Sequence, residues 1–149
     1  MRVCDRDMCI DRDMSFFESA IRYLGGLLGA YDLSGDELYL IKAQEIGDCL
    51  LFAFDSPTGL PYSVVNLHSG QGHNHQWAGQ GSHVLAEVGS MQLEYAYLSY
   101  HTNDNRYFHK SRQVLDYLHN SSPALPGLYP THISPIPPPG DGQAGQRHE

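Results

Sequence analysis

The sequence predicts an all-α chain built from αα-hairpins of one design. Three observations carry this. Long helical stretches, the first opened by the N-cap Ser15, lie on either side of a Gly/Pro/His-rich connector. The two halves repeat: Asp36, Tyr39, Lys42, Ala43, Ile46 and Leu50 recur 68 residues on as Asp104, Tyr107, Lys110, Ser111, Val114 and Leu118. Only the connector holds a strand-like run, Tyr62 to Leu67.

Residues 1–14, MRVCDRDMCIDRDM, are dense in charge and are expected to form a disordered lead-in. A domain over 15–129 and a Pro/Gly-rich disordered tail over 130–149 complete the expected organisation. The first helix is expected near 15–34. Ser15 is a suitable N-cap with Glu18 three residues on, the capping-box spacing. At ~100° per residue, Phe16, Phe17, Ala20, Ile21, Tyr23, Leu24, Leu27, Leu28 and Tyr31 share a broad apolar arc. Glu18, Arg22, Gly25, Gly26 and Gly29 form a narrow stripe opposite. Glycine inside a helix costs about 1 kcal/mol relative to alanine, so three of them imply a packing or access reason. Glu18 and Arg22, four apart, are face neighbours. The pair reads either as a solvated ion pair or as a carboxylate beside a guanidinium over a floor almost bare of side chains. The glycines favour the second.

A second helix is expected over 36–54, with Tyr39, Ala43, Ile46, Gly47 and Leu50 on one face. The connector, 55–83, is long for a compact domain, and its aromatic, Asn and His content suits an ordered binding loop. Its histidines His68, His73, His75 and His83 have irregular spacing and no companion Cys or Asp cluster, so no metal ligand is assigned. A third helix, 84–102, is apolar nearly all round and is expected to be buried all round, which makes Glu87 and Glu94 conspicuous. A fourth, 104–119, places Tyr107, Ser111, Val114, Leu115 and Leu118 on one face. Glu18 and Glu87 align at a separation of 69. If the hairpins stack in parallel, both glutamates emerge at one end.

The net charge of −8 without a basic run argues against nucleic acid as a partner. The longest apolar run, Cys49 to Phe54, is too short to span a bilayer, and no signal peptide or anchor is visible in this chain. Cys4, Cys9 and Cys49 lack a metal-site spacing and leave the redox compartment open. Asn120-Ser121-Ser122 fits an N-glycosylation acceptor.

Glycoside hydrolysis needs one carboxylic acid to protonate the leaving oxygen and one carboxylate to activate water or attack. Glu18 suits such an acid by position. Arg22 opposes this by favouring the ionised form, unless a further carboxylate such as Glu87 competes for the arginine. Four ordered blocks, FFESAIRYLGGLLGAYDLSGD, AFDSPTGLPYSVVNL, LAEVGSMQLEYAYLS and PGLYP, resemble the class I α-1,2-mannosidases, glycoside hydrolase family 47. The resemblance covers about Met14 to Tyr129. It implies an (α/α)7 barrel, present here incompletely as two hairpins. It implies inverting hydrolysis of terminal α-1,2-linked mannose on high-mannose N-glycans, with Glu18 as general acid and Arg22, Ser63 and Glu87 contacting the sugar. It further implies a calcium ion, whose threonine ligand is absent from this chain, and a place in the endoplasmic reticulum or Golgi. The family's Leu-Asp-Thr-Leu, Arg-x-Asp and Arg-Pro-Glu blocks do not occur in these residues. The chain is therefore expected to be a fragment, inactive alone. A non-catalytic αα-repeat interaction module, or a mannose-binding module without turnover, is the alternative.

Overall fold

The computed structural model describes residues 11–79, 81–121 and 127–134. Its frame is two helical hairpins laid side by side. The first long helix, residues 16–34, begins with a short turn α1 (Phe16–Glu18), widens into a π-helical segment (Ser19–Leu24) and continues as α2 (Gly25–Ser34). It returns as α3 (Glu37–Leu50), which ends in a 3-10 turn, Leu51–Phe54. The second hairpin has α4 (Leu85–Gly89), α5 (Gln92–Thr102) and α6 (Asn105–Asn120).

The repeat is written in its turns. Gly35 and Asn103 end the inner helices, both with a left-handed backbone (φ 69° and 54°). Asp36 and Asp104 then cap the outer helices, accepting from Leu38 N (2.9 Å) and Arg106 N (3.0 Å). The inner helices run in parallel. α1 packs against α4, and the π segment and α2 pack against α5. Near the far end the Tyr97 hydroxyl donates to Asp32 at 2.7 Å, and Tyr31 meets His101 edge-on.

The core lies where α3 crosses α5 and α6. Phe16, Phe54, Tyr95 and Tyr107 form a chain of edge-on and tilted ring contacts with centroids 5.5 to 6.4 Å apart. Gly47 permits the close crossing: a Cβ there would stand 2.5 Å from Leu98 Cδ2 and 3.2 Å from Tyr107 Cε1. Its repeat counterpart, Leu115, is 41% exposed, although its sequence places it on the packed face of α6. α3 packs against both α2 of its own hairpin and α5 of the other. Asp48 joins the outer helices, accepting from the Tyr107 hydroxyl (2.8 Å) and from Arg106 (2.8 Å). Burial and the Asp48 charge hold the Tyr107 phenol well above its usual range.

Several expectations are revised. The lead-in ends in a strand: β1 (Asp13–Ser15) pairs antiparallel with β2 (Val64–Asn66), which pairs with β3 (Gly72–His73). A second ladder joins β4 (His83–Val84) to β5 (His132–Ile133), inside the stretch expected to be a tail. Residues 1–10 and 135–149 lie outside the described residues. The helix over 84–102 is divided at Ser90–Met91 and is not buried all round. Leu93 and Tyr100 are exposed because α5 has helical neighbours on one side among the described residues. In the first helix, Ile21 and Tyr23 of the expected arc are exposed. The π segment, with Gly25 N donating to Ala20 O, shifts the helical phase from the 100° assumed for the arc. Cys49 is disulfide-bonded. Cys4 and Cys9 lie outside the described residues.

Candidate functional site

The four candidate residues gather at one end of the hairpin pair. Ser15 caps the first helix, its hydroxyl accepting from Glu18 N at 3.3 Å. The Glu18 carboxylate does not close the capping box in return. It faces along the helix and takes a short hydrogen bond from Arg22 Nε. That bond and the Glu18 charge raise the Arg22 pKa above its ordinary value. The pair is open to solvent, with the two side chains 46% and 70% exposed.

The glycines beside it are bare floor. A Cβ at Gly26 or Gly29 would meet nothing within 4 Å, and one at Gly25 would make ordinary contact with Glu94 Oε1 at 3.5 Å. Among the described residues, close packing is therefore not what the stripe is for.

Ser63 is buried and joined to the head of the first helix. Phe16 N donates to Ser63 O at 2.9 Å, and Ser63 N donates to Asn74 Oδ1 at 3.1 Å. Asn74 in turn donates to Gly81 O at 2.6 Å. The connector is thus an ordered loop drawn over this end. His83, at the start of the second inner helix, is buried in it. Its Nδ1 lies 3.1 Å from Pro61 O and its Nε2 3.3 Å from Thr58 Oγ1. The carbonyl requires a donor at Nδ1, so Nε2 is left to accept from the threonine hydroxyl. Burial lowers the His83 pKa, against the pull of the Pro61 carbonyl.

Glu87 sits in the first turn of α4, which packs on α1. Its Oε1 lies 3.1 Å from His75 Nε2. Its Oε2 is buried and has no hydrogen-bond partner among the described residues, and the same is true of Glu94 Oε2, Gln92 Nε2 and Tyr95 Oη. A buried polar atom left without a partner costs about 1–3 kcal/mol. Tyr95 lies in the fully buried core, whereas Glu87, Gln92 and Glu94 are half-buried residues along α4 and α5.

Glu18 and Arg22 are therefore directly paired, Ser63 is tied by backbone to the same helix head, and Glu87 arrives through α4. Among the described residues no hydrogen bond joins Ser63 or Glu87 to the Glu18–Arg22 pair. His75, missed by sequence reasoning, is the additional member. Its signal was only that of one histidine among four in an irregular loop. No group of three His, Cys, Asp or Glu side chains is placed to hold a metal among the described residues. Two orphan carboxylate oxygens fall short of the six to eight oxygens that calcium takes, so this chain's own described residues do not fit a calcium site.

A carboxylate–guanidinium pair thus sits on a helix with bare backbone beside it, packed against the helices that carry Glu87 and Glu94. Comparison with known proteins identifies the family. Residues 3–142 match Glycosyl hydrolase family 47, and the chain belongs to that family. It is 48% identical over 125 residues to a mannosyl-oligosaccharide 1,2-alpha-mannosidase of Arabidopsis thaliana, covering 84% of this chain and 22% of the relative. It is 42% identical over 142 residues to mannosyl-oligosaccharide 1,2-alpha-mannosidase IB of Homo sapiens, covering 95% of this chain and 21% of that protein. The fold matches an alpha-1,2-mannosidase from Trichoderma reesei with a TM-score of 0.66 and 31% identity, covering 79% of this chain and 26% of the other. That neighbour is an (α/α)7 barrel. The chain thus spans about a fifth to a quarter of the relatives it matches.

Proposed function

We propose that these residues form the acid side of an inverting α-1,2-mannosidase site acting on high-mannose N-glycans. Glu18 is the general acid, and Arg22, Ser63 and Glu87 bind the sugar. The observation that carries this reading is the parallel stacking of the two inner helices, which brings Glu18 and Glu87 to one end beneath the connector that bears Ser63. The open floor at Gly26 and Gly29 leaves room there for a pyranose ring. The Arg-x-Asp and Arg-Pro-Glu blocks do not occur in this chain, so the base is supplied from outside these residues and the chain alone does not release mannose. The same holds for calcium, whose ligands are to be sought outside the residues described here. The disulfide at Cys49 supports an oxidising compartment, hence the endoplasmic reticulum or Golgi. No helix among the described residues is long and apolar enough to cross a membrane.

A chimera tests the assignment. Residues 14–129 of this chain replace the matched segment of the Arabidopsis relative. The chimera is expected to release mannose from α-1,2-mannobiose, and its Glu18→Gln form to lose about 10²- to 10⁴-fold in rate, the range for a general acid. A Gln form as active as its parent chimera would overturn the role of Glu18.

A further inference from the structure

We infer that His75 is a positioning residue for Glu87, fixing one carboxylate oxygen so that the other is presented to a sugar hydroxyl; this rests on Glu87 lining the sugar site as proposed above. The two residues come from different elements, His75 from the connector just before the 3-10 turn Gln76–Ala78 and Glu87 from α4. His75 Nε2 lies 3.1 Å from Glu87 Oε1, and both side chains are largely covered. A carboxylate held at one oxygen can no longer swing its plane, so the direction of the second oxygen is set. That second oxygen, Oε2, is buried and has no hydrogen-bond partner among the described residues. A neutral hydroxyl donor satisfies it without bringing another charge into a covered site.

The imidazole is itself held. Its ring stacks on Trp77, with centroids 5.0 Å apart and planes 21° apart, and Trp77 is met edge-on by His132 at 6.0 Å. His132 is fixed by pairing with Val84 across the β4–β5 ladder, immediately before α4. On the other side Asn74 is pinned by Ser63 N and Gly81 O. The loop that carries His75 is therefore tied on one side, through Trp77 and His132, to Val84, the strand residue before Glu87's helix, and on the other, through Asn74, to Ser63, itself a proposed sugar contact. A tie that served only to fasten the connector would not require an oxygen left over.

The test titrates methyl α-1,2-mannobioside into the 149-residue chain, by calorimetry and by the ¹³C shift of the Glu87 carboxyl. Wild type, His75→Ala and His75→Gln are compared. Glutamine keeps an N–H donor at about the reach of Nε2. The Ala variant is expected to bind about tenfold more weakly, the loss of one oriented charge-assisted contact. The Gln variant is expected to stay within about threefold of wild type, with the Glu87 carboxyl shift still responding to sugar. If the Ala variant does not fold, the Gln comparison and its carboxyl shift carry the test. Wild-type affinity in the Ala variant, or a Gln variant that folds but binds no better than Ala, overturns the positioning role. A wild-type chain that binds no mannobioside overturns the sugar-site reading itself, and this inference with it.

Discussion

Glu18 and Glu87 hold the same place in two copies of one hairpin. Each is the third residue after a short strand and lies in the first turn of an inner helix. Yet their surroundings are opposite. Glu18 is 46% exposed and pairs with Arg22, four residues along its own helix. At the position equivalent to Arg22 the second copy has Met91, which is fully buried. Glu87, deprived of an in-helix cation, is 16% exposed and takes its partner from the connector instead. One scaffold position therefore supplies two settings: an open carboxylate beside a guanidinium, and a covered one beside an imidazole. The divergence accompanies two differences: Arg in one copy and Met in the other at the fourth residue, and a helix broken at Ser90–Met91 in the second copy.

Exchanging those two residues tests the asymmetry most severely. Met91→Arg puts a guanidinium into the space between α4, α5 and the core. It is expected to destabilise by more than about 3 kcal/mol, since a buried unpaired charge is among the costliest substitutions. Arg22→Met removes an exposed partner and is expected to leave the urea midpoint almost unchanged. Urea denaturation of both variants checks this. Equal effects would mean that the two helix heads are packed alike.

The caps come next in size. Asp36 and Asp104 do the same work at the start of the outer helices, but Asp104 also takes hydrogen bonds from the Arg106 side chain at 2.6 to 3.0 Å. Those bonds lower the Asp104 pKa below the ordinary 3.8, against its partial burial. Asp36→Ala is expected to cost about 1 kcal/mol, an ordinary cap. Asp104→Ala is expected to cost about 2 kcal/mol, because it also frees an arginine that spans to Asp48. Thermal melts of the two variants at neutral pH should separate by a few degrees. Melts that coincide would show the Arg106 bonds to contribute nothing beyond the cap.

What the sequence discloses of this molecule is its local grammar. Ser15 caps where expected, and the helices expected from 36 and 104 start there, capped by Asp36 and Asp104, because an N-cap is settled by the residue and its next three neighbours. The 68-residue repeat is legible for the same reason. The Glu18–Arg22 pair is legible because i,i+4 geometry lies within one helix. The partner of Glu87 is not, because His75 reaches it only after the connector has been folded back by the strand pairs 13–15 with 64–66 and 83–84 with 132–133. Pairs of two or three residues carry almost no sequence signal, and they decide where the loop goes. The π segment is similarly silent. Nothing in SAIRYL departs from an ordinary helix, so Ile21 and Tyr23 are assigned to the wrong side when 3.6 residues per turn is assumed throughout.

The smallest effect separates the two helix heads by pH. His83 precedes the second inner helix, where the first has Met14, so only one head contains a buried titratable ring. Burial holds the folded His83 pKa below the 6.5 of the free side chain. The unfolded chain then binds the proton more readily than the folded one. The stability that neutral His83 provides is complete above about pH 6.5 and is lost as pH falls through the folded value. Protonation would also place a charge in the buried space between Pro61, Thr58 and Asn74, loosening the strand that leads into Glu87's helix. Amide exchange, corrected for the intrinsic pH dependence, should show this on one side alone. Leu85 N, which donates to Thr131 O, is expected to lose protection between pH 7 and pH 5, while Phe16 N, which donates to Ser63 O, keeps it. In His83→Gln, which cannot titrate, the acid loss at Leu85 is expected to vanish. If it persists there, or if Phe16 loses protection equally, the acid response belongs to the fold as a whole and not to this histidine.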